Sequence, residues 1–145
     1  MTPLKLRAQD REDLQVISSA LQDSLVAVRD MGLLPDQKRF ALVVNRFCWE
    51  TPRDGEGHYW RTHCALAFDA VEHVAMRDID RHFEDRLLSL LAIEVEATRA
   101  DGGAELLLRF AGKPAIRLEV GRILCHLEDV GEAWPTAWRP GHRLD

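Results

Sequence analysis

The chain carries almost none of the residue patterns that announce a specific chemistry. Three cysteines in 145 residues form no Cys-x-x-Cys pair and are odd in number. That argues against a disulfide framework and against a finger-type zinc site. No apolar run approaches the ~20 residues of a membrane span. The start, Met1-Thr2-Pro3-Leu4-Lys5-Leu6-Arg7, lacks the apolar core of a secretory signal. There is no Gly-x-x-x-x-Gly-Lys phosphate loop, no Gly-x-Ser-x-Gly elbow, no His-Glu-x-x-His and no solenoid-type repeat. Acidic residues (24) outnumber basic ones (19), and the net charge of −5 argues against non-specific nucleic acid binding. These absences lead us to expect one domain over residues 1–145 in the reducing cytoplasm, with no membrane, nucleic acid, metal or cofactor partner.

What is present is β-structure, most legibly from Leu88 to Glu128. Ile93, Val95 and Ala97 alternate with Glu94, Glu96 and Thr98, giving one apolar and one wet face. Asp101-Gly102-Gly103 is a hairpin turn, because glycine accepts a positive φ. Leu106, Leu108 and Phe110 then face away from Glu105 and Arg109, and Gly112-Lys113-Pro114 makes the next turn. Ile116, Leu118 and Val120 form an even-numbered apolar row. After Gly121 the row becomes odd-numbered, Ile123, Cys125 and Leu127. A one-residue slip reverses the faces, so Gly121 is expected at a β-bulge or a sharp bend.

Elsewhere the pattern predicts a helix over about 10–21. Asp10 serves as N-cap, Glu12 and Asp13 sit at the positive end of the dipole, and Leu14, Ile17 and Leu21 form one stripe. Antiparallel strands are expected over about 25–128. Leu25–Asp30, with Val26 and Val28 inward, and Phe40–Trp49 form a second hairpin around the Leu34-Pro35-Asp36-Gln37 turn, and the latter reads as a doubly covered central strand. A helical turn or loop runs to about Asp85, with strand from about Leu88. The stretch 132–145 reads as an extended tail, since Trp134-Pro135 and Arg139-Pro140 oppose regular structure and Trp134 and Trp138 would cover an apolar surface. The fold class is mainly β, bordering on α+β. It is a curled antiparallel sheet, as a partial barrel or two-layer sandwich, with one N-terminal helix.

Candidate chemistry is sparse. His63-Cys64 and Cys125-His126 cannot each give two ligands to one zinc, because strand neighbours point to opposite faces. Buried cysteines with outward histidines are the simpler reading, and buried thiols are inert. Glu94 and Glu96 read as a solvated face. The aromatics Trp49, Tyr59, Trp60, Trp134 and Trp138 gather near loops, as interface aromatics do.

Three stretches, Leu4–Asp10, Phe40–Glu50 and Phe110–Val120, together with the Trp-Pro and Arg-Pro-Gly-His motifs, resemble the bacterial family catalogued as domain of unknown function 2948. The resemblance implies a free-standing bacterial cytoplasmic protein and brings no catalytic residue or cofactor. The expected function is a non-enzymatic binding or accessory module whose partner, a protein, meets Trp60, Trp134 and Trp138. One alternative is a small-molecule enzyme with a dispersed polar site at Asn45, Arg46, His63 and His126. Another is a structural homodimer joined through an exposed edge strand.

Overall fold

A computed structural model describes residues 2–141. The chain opens with a short strand, β1 (Lys5–Ala8), and then α1 (Arg11–Ala20). Asp10 caps the helix as its position suggests, its Oδ1 accepting the Asp13 N–H at 2.8 Å. Leu14, Ile17 and Ser18 form its buried face. There follow β2 (Ser24–Ala27), a 3-10 turn (Val28–Asp30), β3 (Met31–Leu34) and β4 (Arg39–Phe47). The remaining strands are β5 (Tyr59–Phe68), β6 (Val71–Arg77), β7 (Leu87–Thr98), β8 (Ala104–Phe110), β9 (Ala115–Val120) and β10 (Cys125–Thr136).

All ten strands form one antiparallel sheet in the order β1-β10-β5-β4-β2-β7-β8-β9-β6, with β3 also paired to β4. The sheet is not closed into a barrel. It curls so that Phe40 and Leu66 of one half meet Leu108, Ile116 and Leu118 of the other in a single core. The helix α1 packs on β7 and on β1, strands from the two halves, and so bridges them with one buried face. The expected fold class, a curled antiparallel sheet with one N-terminal helix, is what the structure shows.

Three expectations need correction and one is resolved between its two alternatives. First, β1 and the last two thirds of β10 lie outside the expected strand range of about 25–128. After an irregularity between Val130 and Trp134, residues Trp134–Thr136 pair with β5 despite Pro135, which lies opposite Trp60. The missing N–H is tolerated because β1 flanks β10 only as far as Glu128, leaving an open edge beyond it. Residues 142–145 of the expected tail lie outside the described residues. Second, of the two readings of Gly121, the sharp bend is the one found. Gly121 sits in the bend between β9 and β10, and β10 crosses to the far half of the sheet to pair with β5 and β1. The change of phase marks two separate strands. Third, β4 is covered on one face only. Phe40, Leu42 and Val44 are buried while Val43 is 43% exposed. Fourth, Trp138 is 81% exposed and covers no apolar surface.

Candidate functional site

The site begins with an interruption in the sheet. The strand β2 pairs with β4 only at Leu25–Asn45. The chain then leaves β4 through the 3-10 turn Val28–Asp30 and rejoins it as β3, with Met31 opposite Leu42. Val43 and Val44 therefore pair with β5 on one side and have no strand register on the other. The opening is a cleft of about 480 Å³ on the outer face of the sheet, floored by Val43.

One cross-sheet row supplies much of its wall. Val130 of β10 lies opposite His63 of β5, His63 opposite Asn45 of β4, and Asn45 opposite Leu25 of β2. Because register partners project on the same face, these four side chains stand together although they are far apart in sequence. Leu87 adds a further apolar wall from the start of β7, and Arg29 and Asp30 form the rim on the side of the 3-10 turn. Val43, Leu87 and Val130 are 43%, 63% and 41% exposed, so three large apolar side chains open to solvent line one concavity. A cleft that combines apolar walls with a few convergent polar groups has the general form of a ligand site.

The polar groups are held from behind. The Arg61 Nε donates to Asn45 Oδ1 at 2.6 Å, and its Nη2 donates to the Asn45 carbonyl at 3.1 Å. Arginine has no acceptor, so the amide oxygen must face Arg61 and the Nδ2 donor is the end left for the cleft. Burial lowers the Arg61 guanidinium below its ordinary value, with Cys48 and Asp23 acting the other way. The His63 ring packs against Trp134 with centroids 4.8 Å apart. Beyond Arg61 the outer face ends in a cluster of alternating rings and cations. Phe47 meets Trp49 at 4.7 Å and Tyr59 at 5.6 Å, while Arg61 lies over Phe47 at 6.0 Å and Arg53 over Tyr59 at 5.7 Å.

The four polar residues of the dispersed-site expectation do not converge. Asn45 and His63 share the cleft. Arg46 projects to the opposite face, as the neighbour of Asn45 in a strand must, and is completely buried. Its Nε and Nη2 donate to the two carboxylate oxygens of Asp129 at 2.8 and 2.7 Å, and Nη1 and Nη2 donate to Glu50 at 3.0 and 2.9 Å. Burial opposes the charge on Arg46, but the bonds to Asp129 and Glu50 outweigh it and raise the guanidinium further. Asp129 is likewise pushed up by burial and pulled below its ordinary value by Arg46 and by the Leu4 N–H. Arg46 is thus an anchor that ties β4 to β10. His126 lies elsewhere on the outer face, in register with Ala67, with its Nε2 3.5 Å from Asp69.

The three tryptophans also separate. Trp134 aligns with Arg61 and backs His63, whereas Trp60 aligns with Pro135 and so belongs to the other face, beside Thr62 and Asp129. Trp138 stands alone in the exposed segment after β10. The apolar half of the cleft, Leu25, Val43, Leu87 and Val130, had no signature in the sequence, since each sits in an ordinary strand pattern. The cysteines are buried and free, with the Cys64 thiol pushed up to about 12 by burial and by Asp129. Among the described residues no group of three or more His, Cys, Asp or Glu side chains is arranged to hold a metal, and no helix is long and apolar enough to cross a membrane.

The fold and cleft define a single-domain, antiparallel β protein with a ligand-sized recess on the open face of its sheet. The profile of the family described as "Protein of unknown function (DUF2948)" matches residues 4–142, nearly the whole chain, and the chain belongs to that family. No curated protein and no solved structure matches it.

Proposed function

We propose that this protein is a non-enzymatic binding module and that it binds through the outer-face cleft. The observation that carries the reading is the row Val130–His63–Asn45–Leu25, which places two polar groups between apolar walls in one concavity. The buried Arg46 cluster and the three cysteines are committed to structure rather than poised for proton transfer. Asp129 and Glu50 are held down by Arg46 even though burial pushes them up, and burial raises Cys48, Cys64 and Cys125. Of the expected aromatic surface, Trp134 serves this reading by supporting His63. Trp60 and Trp138 do not belong to it.

The homodimer reading is weaker on the same grounds. The strand order ends in β1, four residues long and bearing Lys5 and Arg7, and in β6, which has an irregular register near Val71 and exposes Glu72 and His73, while β3, paired only with β4, is a further edge of four residues. Short, charged or bulged edges discourage strand-to-strand pairing. Three buried free thiols suit the reducing cytoplasm, where we place the protein.

The test is a two-dimensional NMR screen of small carboxylates, amines and neutral aromatics against the uniformly labelled protein. The reading expects hits to shift the amides of Val43, Asn45, His63 and Val130. Leu87→Glu should abolish them without changing the melting temperature, since Leu87 is 63% exposed. Hits that map instead around Trp60 or the Ala65–Ala67 face would sink the reading.

A further inference from the structure

We infer that the ligand of this cleft is a small carboxylic acid with an apolar body, its carboxylate bound by Asn45 and His63. The inference rests on the cleft being the binding site and adds the chemistry of what fills it. Asn45 is not free to choose which end of its amide it presents. The guanidinium of Arg61 donates to Oδ1 at 2.6 Å, which fixes the amide's orientation and leaves the Nδ2 end for a ligand. The cation behind it also polarises the amide in the direction that strengthens that donor. His63 stands in register beside Asn45 and is held in place by Trp134. A neutral imidazole has one N–H donor and a protonated one has two. A carboxylate accepts at both oxygens and can take one donor from each residue.

The rim at the 3-10 turn carries one charge of each sign, Arg29 and Asp30. Arg29 is already bonded to Asp85. These groups sit on the 3-10 turn beside β4, so β4 with Asn45 separates them from His63 on β5. Val43, Leu25, Leu87 and Val130 offer only carbon to the rest of the ligand. A sugar or a free inorganic anion would leave that apolar wall unused, whereas an apolar acid satisfies both parts.

The experiment titrates octanoate and octan-1-ol separately into the labelled protein, following the amides of Val43, Asn45, His63 and Val130. Octanoate should saturate these shifts at least about tenfold more tightly than octan-1-ol, the difference expected for one hydrogen bond to a charged group. Asn45→Asp keeps an acceptor for Arg61 but replaces the donor with a like charge. It should weaken octanoate by about tenfold or more and leave octan-1-ol within about twofold. If octan-1-ol binds in the cleft as well as octanoate does, the carboxylate inference is wrong while the cleft stands as a binding site. If neither shifts these amides, the binding reading itself fails. Should octanoate bind equally well to the Asn45→Asp protein with an unchanged melting temperature, Asn45 is not the donor and the inference is overturned.

Discussion

Arg46 holds Asp129 with a two-pronged fork, Nε to Oδ1 at 2.8 Å and Nη2 to Oδ2 at 2.7 Å, in a place where the arginine has no solvent exposure. The remaining N–H groups go to Glu50 and to the Phe47 carbonyl, so all five donors are used. A pair this well satisfied survives burial because each partner cancels what the other lost on leaving water. Its stability is therefore conditional on both partners.

Removing one partner should expose that condition. Arg46→Met leaves Asp129 buried without its cation, and we expect a loss of about 3–5 kcal/mol in chemical denaturation. Asp129→Asn should be comparably damaging, since it strips the charge that faces Arg46. Glu50→Gln should cost at most about 1 kcal/mol, because the Glu50 side chain is 39% exposed and water screens its share of the pair. Equal losses at Glu50 and Asp129 would contradict the assignment of Asp129 as the buried partner.

The same cluster sets a pH dependence. Burial pushes the Asp129 and Glu50 carboxyls up, but the bonds from Arg46 pull both below their ordinary values. A depressed carboxyl stabilises the fold fully above the unfolded value, about 4, and the contribution is lost as pH falls through the folded value. Unfolding free energy should thus be level with respect to this cluster from about pH 5 to 7 and decline below about pH 4. Asp129→Asn, although less stable throughout, should show a shallower decline over that acid range. An unchanged slope would mean that Asp129 is not the group being protonated.

Much of the scaffold could be read from the chain because its signals are local. Asp10 marks the start of α1, and Asp101-Gly102 and Gly112-Lys113-Pro114 mark the turns around β8. The strand β1 escaped notice because Lys5-Leu6-Arg7-Ala8 offers two alternations, too few to stand out from chance. The end of β10 escaped because Pro135 reads as a breaker unless the edge it occupies is known. The site was only half legible. Asn45 and His63 were conspicuous as polar groups in apolar strands, but their meeting depends on a strand register that no local pattern supplies. The exclusion of Arg46 was legible, since the alternation that separates His63 from Cys64 also separates Asn45 from Arg46. The cleft itself comes from the chain leaving β4 between Leu25 and Met31, a tertiary event with no residue signature.

Two buried serines make opposite predictions. Ser18 on α1 accepts the backbone N–H of Ile93 at 2.9 Å. The strand β2 flanks β7 only over Leu87–Leu90, so this N–H lies past the end of that ladder and Ser18 takes the place of the missing strand. Ser18→Ala should leave a buried donor unpaired and cost about 1–3 kcal/mol. Ser24 is just as deeply placed, at 0% exposure, but among the described residues its Oγ has no hydrogen-bond partner. Ser24→Ala removes a hydroxyl that was desolvated without compensation, and should raise stability by about 1 kcal/mol. The two variants differ by the same single oxygen and sit in the same kind of environment, so equilibrium denaturation of both isolates the value of the partner. A destabilised Ser24→Ala protein would show that its hydroxyl is bonded in solution, and a neutral Ser18→Ala protein would show that Ile93 finds another acceptor.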